Sequence, residues 1–353
     1  MSRLKVAFLY SEIAGYFLAN VKELAKEADV LIFRWPIASE APFQFEEIEG
    51  VEVLDRSQFD HISMLEKLQD FNPHAIVCSG WMDKGYLKLV KSFKRKIPTV
   101  VSLDNHWRGD LKQRIAATVS PFTLKRIFTH AWVPGSPQKK YAEKLGFPQD
   151  RILENFYVAD VPLFEQAFEN SFHKKTDAFP KRILYVGRYV EHKGIFELWE
   201  AYKELKEETG FDWELWCIGT GDQWDNRMQF DGIKHHGFVQ ANEMEHYLDQ
   251  TSVYILPSKF EPWGVTIQEF AICGFPIIAS TNVGAATKYV KAENGLVVNE
   301  VTKESLKKAI LQLTSKSEQT LLEMGQNSHN IGVSVNNSVW VENIKSVIKA
   351  WKN

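Results

Sequence analysis

The chain is poor in cysteine, and the three it has, Cys78, Cys217 and Cys273, are odd in number, far apart and each set in an apolar stretch. That pattern excludes a disulfide framework and a zinc-binding cysteine cluster, and reads as buried thiols in a reducing compartment. No stretch approaches the roughly 20 apolar residues that a membrane span requires. The short apolar run Val6 to Tyr10 stops at Ser11-Glu12 and does not fit a secretory leader, so a cytoplasmic location is expected. There is no close internal repeat, no low-complexity tract and no Asp-x-Asp triplet. No cluster of His, Cys and carboxylates has metal-ligand spacing, and neither half of the chain carries the complete glycine fingerprint of a nicotinamide dehydrogenase.

What is present is the composition of a soluble globular protein: 44% apolar and 25% charged residues over 353 positions. That length favours two domains. In the first part, apolar runs at Leu4–Tyr10, Val30–Phe33, Ala75–Ser79, Thr99–Leu103 and Ala131–Pro134 alternate with helical patterns. Short, near-continuous apolar runs between helices indicate a parallel sheet covered on both faces. The polar stretch ENSFHKKTDAFPKR, residues 169–182, reads as a linker. The pattern then restarts, with strands at Ile183–Val186, Glu214–Ile218, Val253–Leu256 and Pro276–Ala279. Helices are expected at Lys193–Thr209, Glu243–Gln250, Val265–Cys273 and Lys303–Leu313. The expected organisation is a Rossmann-like domain over 1–168, the linker 169–182, and a second Rossmann-like domain over 183–335. A terminal helix over 336–353 is expected to pack back toward the first domain. Two such α/β domains facing across a cleft place ligands outside the carboxyl ends of their strands.

Two strings carry chemistry. PSKFEPWGVTIQEFAICGFPIIAS, residues 257–280, runs from a strand through a loop into a helix beginning near Gly264. Glu261 lies in the loop and Glu269 eight positions later on the helix. Gly264 lets a ligand approach the backbone, and the N–H groups at the helix start suit a phosphate. One carboxylate then suits a sugar and the other a second polyol such as ribose. ILYVGRYVEHKG, residues 183–194, ends a strand at Gly187 and places Arg188 and Lys193 before a helix start. Two cations beside a glycine and a helix N-terminus form a diphosphate clamp. Taken singly, these residues also read as a loop acid, an ordinary helix glutamate and solvated surface charges.

Together the strings resemble the Glu-x₇-Glu and Gly-Arg…Lys-Gly elements of the family 4 glycosyltransferases, retaining enzymes of the GT-B fold. The match includes Pro257-Ser258 before the first glutamate, Gly264 after Pro262-Trp263, and Cys273-Gly274-Phe275-Pro276 after the second. The resemblance implies a donor site of Gly15, Gly187, Arg188, Lys193, Gly219, Phe238, Val239, Glu261, Pro262, Trp263, Gly264, Val265 and Glu269. It implies catalytic roles for His106, Glu261, Arg188 and Lys193. Ile218-Gly219-Thr220-Gly221, His236-Gly237-Phe238-Val239 and Asn294-Gly295-Leu296-Val297 resemble later family elements and are read first as fold markers. As a dinucleotide fingerprint the first of these fails, because Trp224 stands where a third glycine is required.

In the first domain, Gly15 follows the first strand, although Ala14 replaces the glycine that often precedes it. Val101 to His106 resembles the strand-ending histidine that faces the donor sugar. Asn155 matches an Asn-Gly element in which Phe156 replaces the glycine, so no role is carried over. Ala285 and Lys288 stand where the family usually has a glycine and an acid, which leaves that donor contact altered.

The resemblance implies transfer of a hexosyl or other glycosyl group from a nucleoside-diphosphate sugar with retention at the anomeric carbon. No cofactor or metal is expected, since Arg188, Lys193 and the helix start would meet the leaving group's charge. Glu261 would orient sugar hydroxyls, His106 would support developing charge and Glu269 would hold the ribose. The expected acceptor is a glycan or lipid-linked glycan of cell-envelope polysaccharide or glycolipid synthesis. Alternatives are a degenerate sugar-nucleotide or glycan-binding protein, or an epimerase or phosphorylase of the same fold.

The net charge of −3 conceals an asymmetry. Between Lys84 and Arg151 there are fifteen Lys and Arg against four acids, a balance of +11, so the rest of the chain carries −14. The segment, which includes KLVKSFKRK at 88–96 and LKQR at 111–114, reads either as ordinary solvated helix faces or as an anion-attracting surface. Its interleaved Phe93, Trp107, Phe122 and Phe128 suit the surface of an anionic membrane, at its inner face, or a lipid-diphosphate acceptor. Nucleic acid satisfies the charge but is not expected, since no nucleic-acid motif accompanies it.

Overall fold

The computed structural model describes residues 3–36, 47–240 and 243–352. It contains two compact units, one built from Met1–Val158 with Asn336–Asn353, the other from Ala159–Val335.

The first unit is a seven-stranded sheet: β1 (Leu4–Tyr10), β2 (Ala28–Arg34), β3 (Val51–Asp55), β4 (Ala75–Ser79), β5 (Thr99–Ser102), β6 (His130–Trp132) and β7 (Ile152–Leu153). Their order is β3-β2-β1-β4-β5-β6-β7, with every pair parallel. The central strands are buried along most of their length because helices cover both faces, and for that reason they read as continuous apolar runs. The edge strand β3, VEVLD, is only partly buried and gives no such run.

The terminal helix Asn337–Lys352 belongs to this unit and packs on the helix Gly15–Ala25. Trp340 anchors it, fully buried, with Nε1 donating to the Phe156 carbonyl at 2.9 Å and its ring 4.8 Å from that of Trp132. The buried Asn337 Nδ2 donates to Asn20 Oδ1 at 2.9 Å.

The second unit is a six-stranded parallel sheet: β8 (Arg182–Val186), β9 (Glu214–Ile218), β10 (Ile233–His235), β11 (Val253–Leu256), β12 (Ile277–Ser280) and β13 (Gly295–Val298). The order is β10-β9-β8-β11-β12-β13. Residues 169–177, read from sequence as linker, are the second half of the helix Val161–Asp177, which packs on the helix Thr266–Ile272 within this unit. Its polar, lysine-rich composition reflects an amphipathic surface helix, with Phe164, Ala167 and Ser171 buried at helical spacing. Gln268 closes the unit: its side chain accepts from Ala159 N and donates to the carbonyls of Gly332 and Val335.

All three cysteines are buried and unbridged, and burial pushes the Cys217 thiol up to about 12. Among the described residues no helix is long and apolar enough to cross a membrane.

Candidate functional site

Each sheet reverses its strand order once, between β1 and β4 in the first unit and between β8 and β11 in the second. Crevices at such reversals, outside the carboxyl ends of the strands, are where doubly wound sheets bind ligands. Both strings singled out in the second half of the chain fall at its reversal: Gly187–Gly194 follows β8 and Pro257–Gly264 follows β11.

Backbone contacts lock these loops together. Lys259 N donates to the His192 carbonyl at 2.8 Å. Glu261 N donates to Asn282 O, and Gly284 N donates back to Glu261 O, tying the loop after β11 to the loop after β12. On the other side Gly187 N donates to Ile218 O at 3.0 Å and Tyr189 N to Thr220 O at 2.8 Å. Gly219, at φ +132, is required there: a Cβ would sit 2.0 Å from the Gly187 carbonyl oxygen.

This frame brings Lys193 and Glu261 into an ion pair across 68 residues of sequence, with side chains only 15% and 14% exposed. Arg188 is exposed on the same loop as Lys193, and its carbonyl accepts from the buried Tyr185 hydroxyl at 3.0 Å. Burial, then the neighbouring Lys193 and Arg188 cations, hold the His192 imidazole below its ordinary pKa, while Glu261 pulls it the other way. His192 therefore lies within electrostatic reach of all three.

Gly264, at φ +87, turns the chain into the helix Thr266–Ile272, which begins two residues later than the sequence suggests. The N–H groups of Gly264, Val265 and Thr266 have no protein acceptor among the described residues. Pro262 precedes the fully buried Trp263, whose carbonyl accepts from Ala285 N at 2.8 Å.

Glu269 lies on this helix, partly buried, and its carboxylate has no hydrogen-bond or ion-pair partner among the described residues. Burial, with a smaller contribution from the Asp160 charge, raises its carboxyl to about 7. Phe238 is exposed and Val239 partly buried in the loop after β10. Asn294 is a structural residue, buried with its amide on Tyr289 O and Ser328 Oγ and its carbonyl on Lys291 N. Ala285 is fully buried, whereas Lys288 lies over the Tyr289 ring.

Gly15 and His106 belong to the first unit. Gly15 opens the helix Gly15–Ala25. His106 lies in the loop after β5, half-buried, its pKa lowered by burial and then by Arg108. At the β1/β4 reversal is a cavity of about 410 Å³, lined by Tyr10 at the end of β1 with Ser11, Glu12 and Tyr16 beyond it, Ser79 at the end of β4 with Gly80 to Met82 beyond it, Ser102 to Asn105 around the end of β5, and Tyr141 and Tyr157. His106 itself is not part of the lining. Burial raises the Tyr10 and Tyr157 phenols well above their ordinary pKa, so they stay neutral and able to donate. Serines, tyrosines, an amide and two carboxylates around one cavity suit a hydroxyl-rich ligand.

Sequence reasoning missed His192, Tyr185 and the cavity tyrosines. His192 lies within residues 183–194, but nothing local in the sequence distinguishes it. Tyr10 and Tyr185 read as strand core. Among the described residues no group of three or more His, Cys, Asp and Glu is placed to hold a metal ion.

Residues 167–331 match the family model described as Glycosyl transferases group 1. Over 136 residues the chain is 29% identical to the 2-deoxystreptamine N-acetyl-D-glucosaminyltransferase of Niallia circulans, covering 35% of this chain and 33% of that one. Over 172 residues it is 26% identical to the putative colanic acid biosynthesis glycosyltransferase WcaL of Escherichia coli (strain K12), covering 45% and 41%. The matched regions thus span less than half the length of these curated relatives. Anabaena Alr3699/HepE, solved in complex with UDP and glucose, superposes with a TM-score of 0.72 at 13% identity, covering 98% of this chain and 100% of that one. The fold is the two-Rossmann-domain α/β class of the GT-B glycosyltransferases, and residues 167–331 carry the similarity to the group 1 glycosyl transferase family.

Proposed function

We propose that this protein is a retaining glycosyltransferase that moves a sugar from a nucleoside-diphosphate sugar to a glycan or lipid-linked acceptor without a metal ion. The observation that carries the reading is the meeting, at the β8/β11 reversal, of the Lys193–Glu261 pair, Arg188 and the amides of Gly264 to Thr266, which have no acceptor among the described residues.

In the proposed reaction the bond between the anomeric carbon and the diphosphate oxygen breaks, and the acceptor oxygen bonds to that carbon on the same face. The acceptor proton passes to an oxygen of the departing diphosphate. Arg188, Lys193 and the three amides meet the charge that develops on the leaving group. An ammonium has three donors, so Lys193 keeps Glu261 in place while donating to a phosphate oxygen. Glu261 accepts from sugar hydroxyls, His106 supports the developing positive charge, and Glu269 accepts from the ribose. Phe238 and Val239 border the base. The first unit's hydroxyl-rich cavity suits a glycan acceptor. The colanic acid relative and the UDP- and glucose-bound Anabaena protein support a polysaccharide product and a nucleoside-diphosphate donor. The +11 segment 84–151 is proposed to hold the protein at the inner face of an anionic membrane, where lipid-linked acceptors lie.

The test is a thermal-shift screen against UDP, GDP, ADP, CMP and their sugars with EDTA present. Selective stabilisation by one nucleoside diphosphate, lost in Arg188→Ala, is expected. No response to any of them overturns the reading.

A further inference from the structure

Exposed large apolar side chains are normally scattered over a protein surface. Here ten are exposed among the described residues, and four of them fall within twelve positions: Leu111 at 74%, Ile115 at 54%, Val119 at 43% and Phe122 at 68%. The first three are spaced by four along the helix Leu111–Val119, which places them in one stripe about 80° wide. Phe122 continues from the turn that follows.

The stripe is held outward. On the opposite side of the helix the buried Gln113 accepts from Arg108 N at 2.7 Å and Gly109 N at 3.1 Å, and donates to the His106 carbonyl at 2.8 Å. Asp110 caps the helix by accepting from Gln113 N at 2.9 Å, and Ala116 packs against the core of the unit. The helix cannot roll to hide Leu111, Ile115 and Val119 without breaking these bonds.

Cations frame it. Lys112 and Arg114 are exposed, about 20° beyond one edge of the stripe and about 60° beyond the other. Lys125 and Arg126 follow Phe122 and are exposed, with the Arg126 guanidinium 5.9 Å from the Phe122 ring. Lys94 donates to the Lys125 carbonyl, bringing the neighbouring exposed Arg95 to the same patch. The one acid between residues 106 and 126, Asp110, is paired with Arg108 at 3.2 Å.

We infer that the helix Leu111–Val119 and the turn bearing Phe122 form the face that docks on an anionic lipid bilayer. Leu111, Ile115, Val119 and Phe122 enter the headgroup–acyl boundary, and Lys112, Arg114, Lys125 and Arg126 lie among lipid phosphates. An apolar stripe bordered by cations matches that boundary, where hydrocarbon lies directly beneath a negatively charged layer. A second copy of this chain is a poor occupant, because it would bring the same cations against their like. The inference deepens the membrane reading of the basic segment and rests on it, but not on sugar transfer.

The test is flotation of the full chain with phosphatidylcholine vesicles containing 30% phosphatidylglycerol and with pure phosphatidylcholine vesicles. The wild type should float with the anionic vesicles only. Leu111→Ser/Ile115→Ser/Phe122→Ser should lower that partitioning by about tenfold or more, with circular dichroism unchanged. An environment-sensitive fluorophore on Ile115→Cys, the native thiols being buried, should shift to the blue with anionic vesicles only. Undiminished anionic binding by the triple variant, with no fluorophore shift, overturns the face but leaves a purely electrostatic membrane contact standing. No flotation of the wild type overturns both. A wild-type dimer in sedimentation velocity that the triple variant dissolves assigns the face to self-association and overturns the inference. Nucleoside-diphosphate binding, read separately on the same variants, reports on the donor site alone.

Discussion

Glu269→Gln tests the most unusual group of the candidate donor site, a carboxyl that burial raises from 4.5 to about 7. A raised folded-state pKa means the folded protein binds the proton more tightly than the unfolded chain. The stabilisation this confers is fully present below pH 4.5 and is lost as pH rises through about 7. At about 1.4 kcal/mol per tenfold in proton affinity, the loss between pH 5 and pH 8 amounts to about 2.5 kcal/mol. Glutamine is neutral throughout and removes the effect. The variant's stability relative to wild type should therefore rise by about 2.5 kcal/mol between pH 5 and pH 8, measured by urea unfolding followed by far-ultraviolet circular dichroism. Equal differences at the two pH values would refute the assignment of a buried, proton-holding carboxyl. The same group couples to ligand. Ribose hydroxyls donating to the ionised carboxylate would lower its pKa, so nucleotide binding near pH 6.5 should release protons in wild type but not in the variant. Calorimetry in two buffers of different ionisation enthalpy reads this directly.

Arg188→Ala removes an exposed cation and should leave the circular dichroism unchanged while cutting turnover by roughly 10²; a near-normal rate would remove Arg188 from the clamp. Gly219→Ala forces a Cβ to within 2.0 Å of the Gly187 carbonyl oxygen and should cost about 3 kcal/mol or more, displacing the Arg188 loop and weakening nucleotide binding with it. A variant of wild-type stability would mean that the two strand-end loops are not in contact. Lys175 is buried in the second unit, its ammonium without a hydrogen-bond partner among the described residues, 3.6 Å from the centre of the Phe275 ring and beside Cys273 and Asp249. Burial lowers its pKa to about 7, so stability is lost as pH falls from 10.5 through 7. Lys175→Met should stabilise the protein by about 1–4 kcal/mol at pH 6, with the gain fading as pH approaches 10.5; destabilisation at pH 6 would contradict it.

Much of the second unit was legible because its signals are local. Glu214–Ile218 and Val253–Leu256 are strands with the boundaries that their apolar runs suggest, since central strands of a covered parallel sheet need apolar residues on both faces. The edge strands β3 and β10 were not legible, because one side of each lies against solvent and the apolar run disappears. The stretch 169–177 read as linker because the polar face of an amphipathic surface helix has the composition of one.

Sequence by itself determined the alternation of strand and helix, the two strand-end loops with their glycines, and the residue types needed to meet a diphosphate and a polyol. Tertiary structure alone decided which of these meet. The Lys193–Glu261 pair joins residues 68 positions apart, and the first unit's cavity draws on loops from three strand ends. The raised carboxyl of Glu269 depends on what surrounds it and not on its neighbours in sequence. Leu111, Ile115 and Val119 make the point most sharply. Their spacing is that of any helix burying an apolar face, and only the bonds of Gln113 on the opposite side turn that face toward solvent. Periodicity specifies that a helix has an apolar side; which way that side points is set by contacts made elsewhere in the fold.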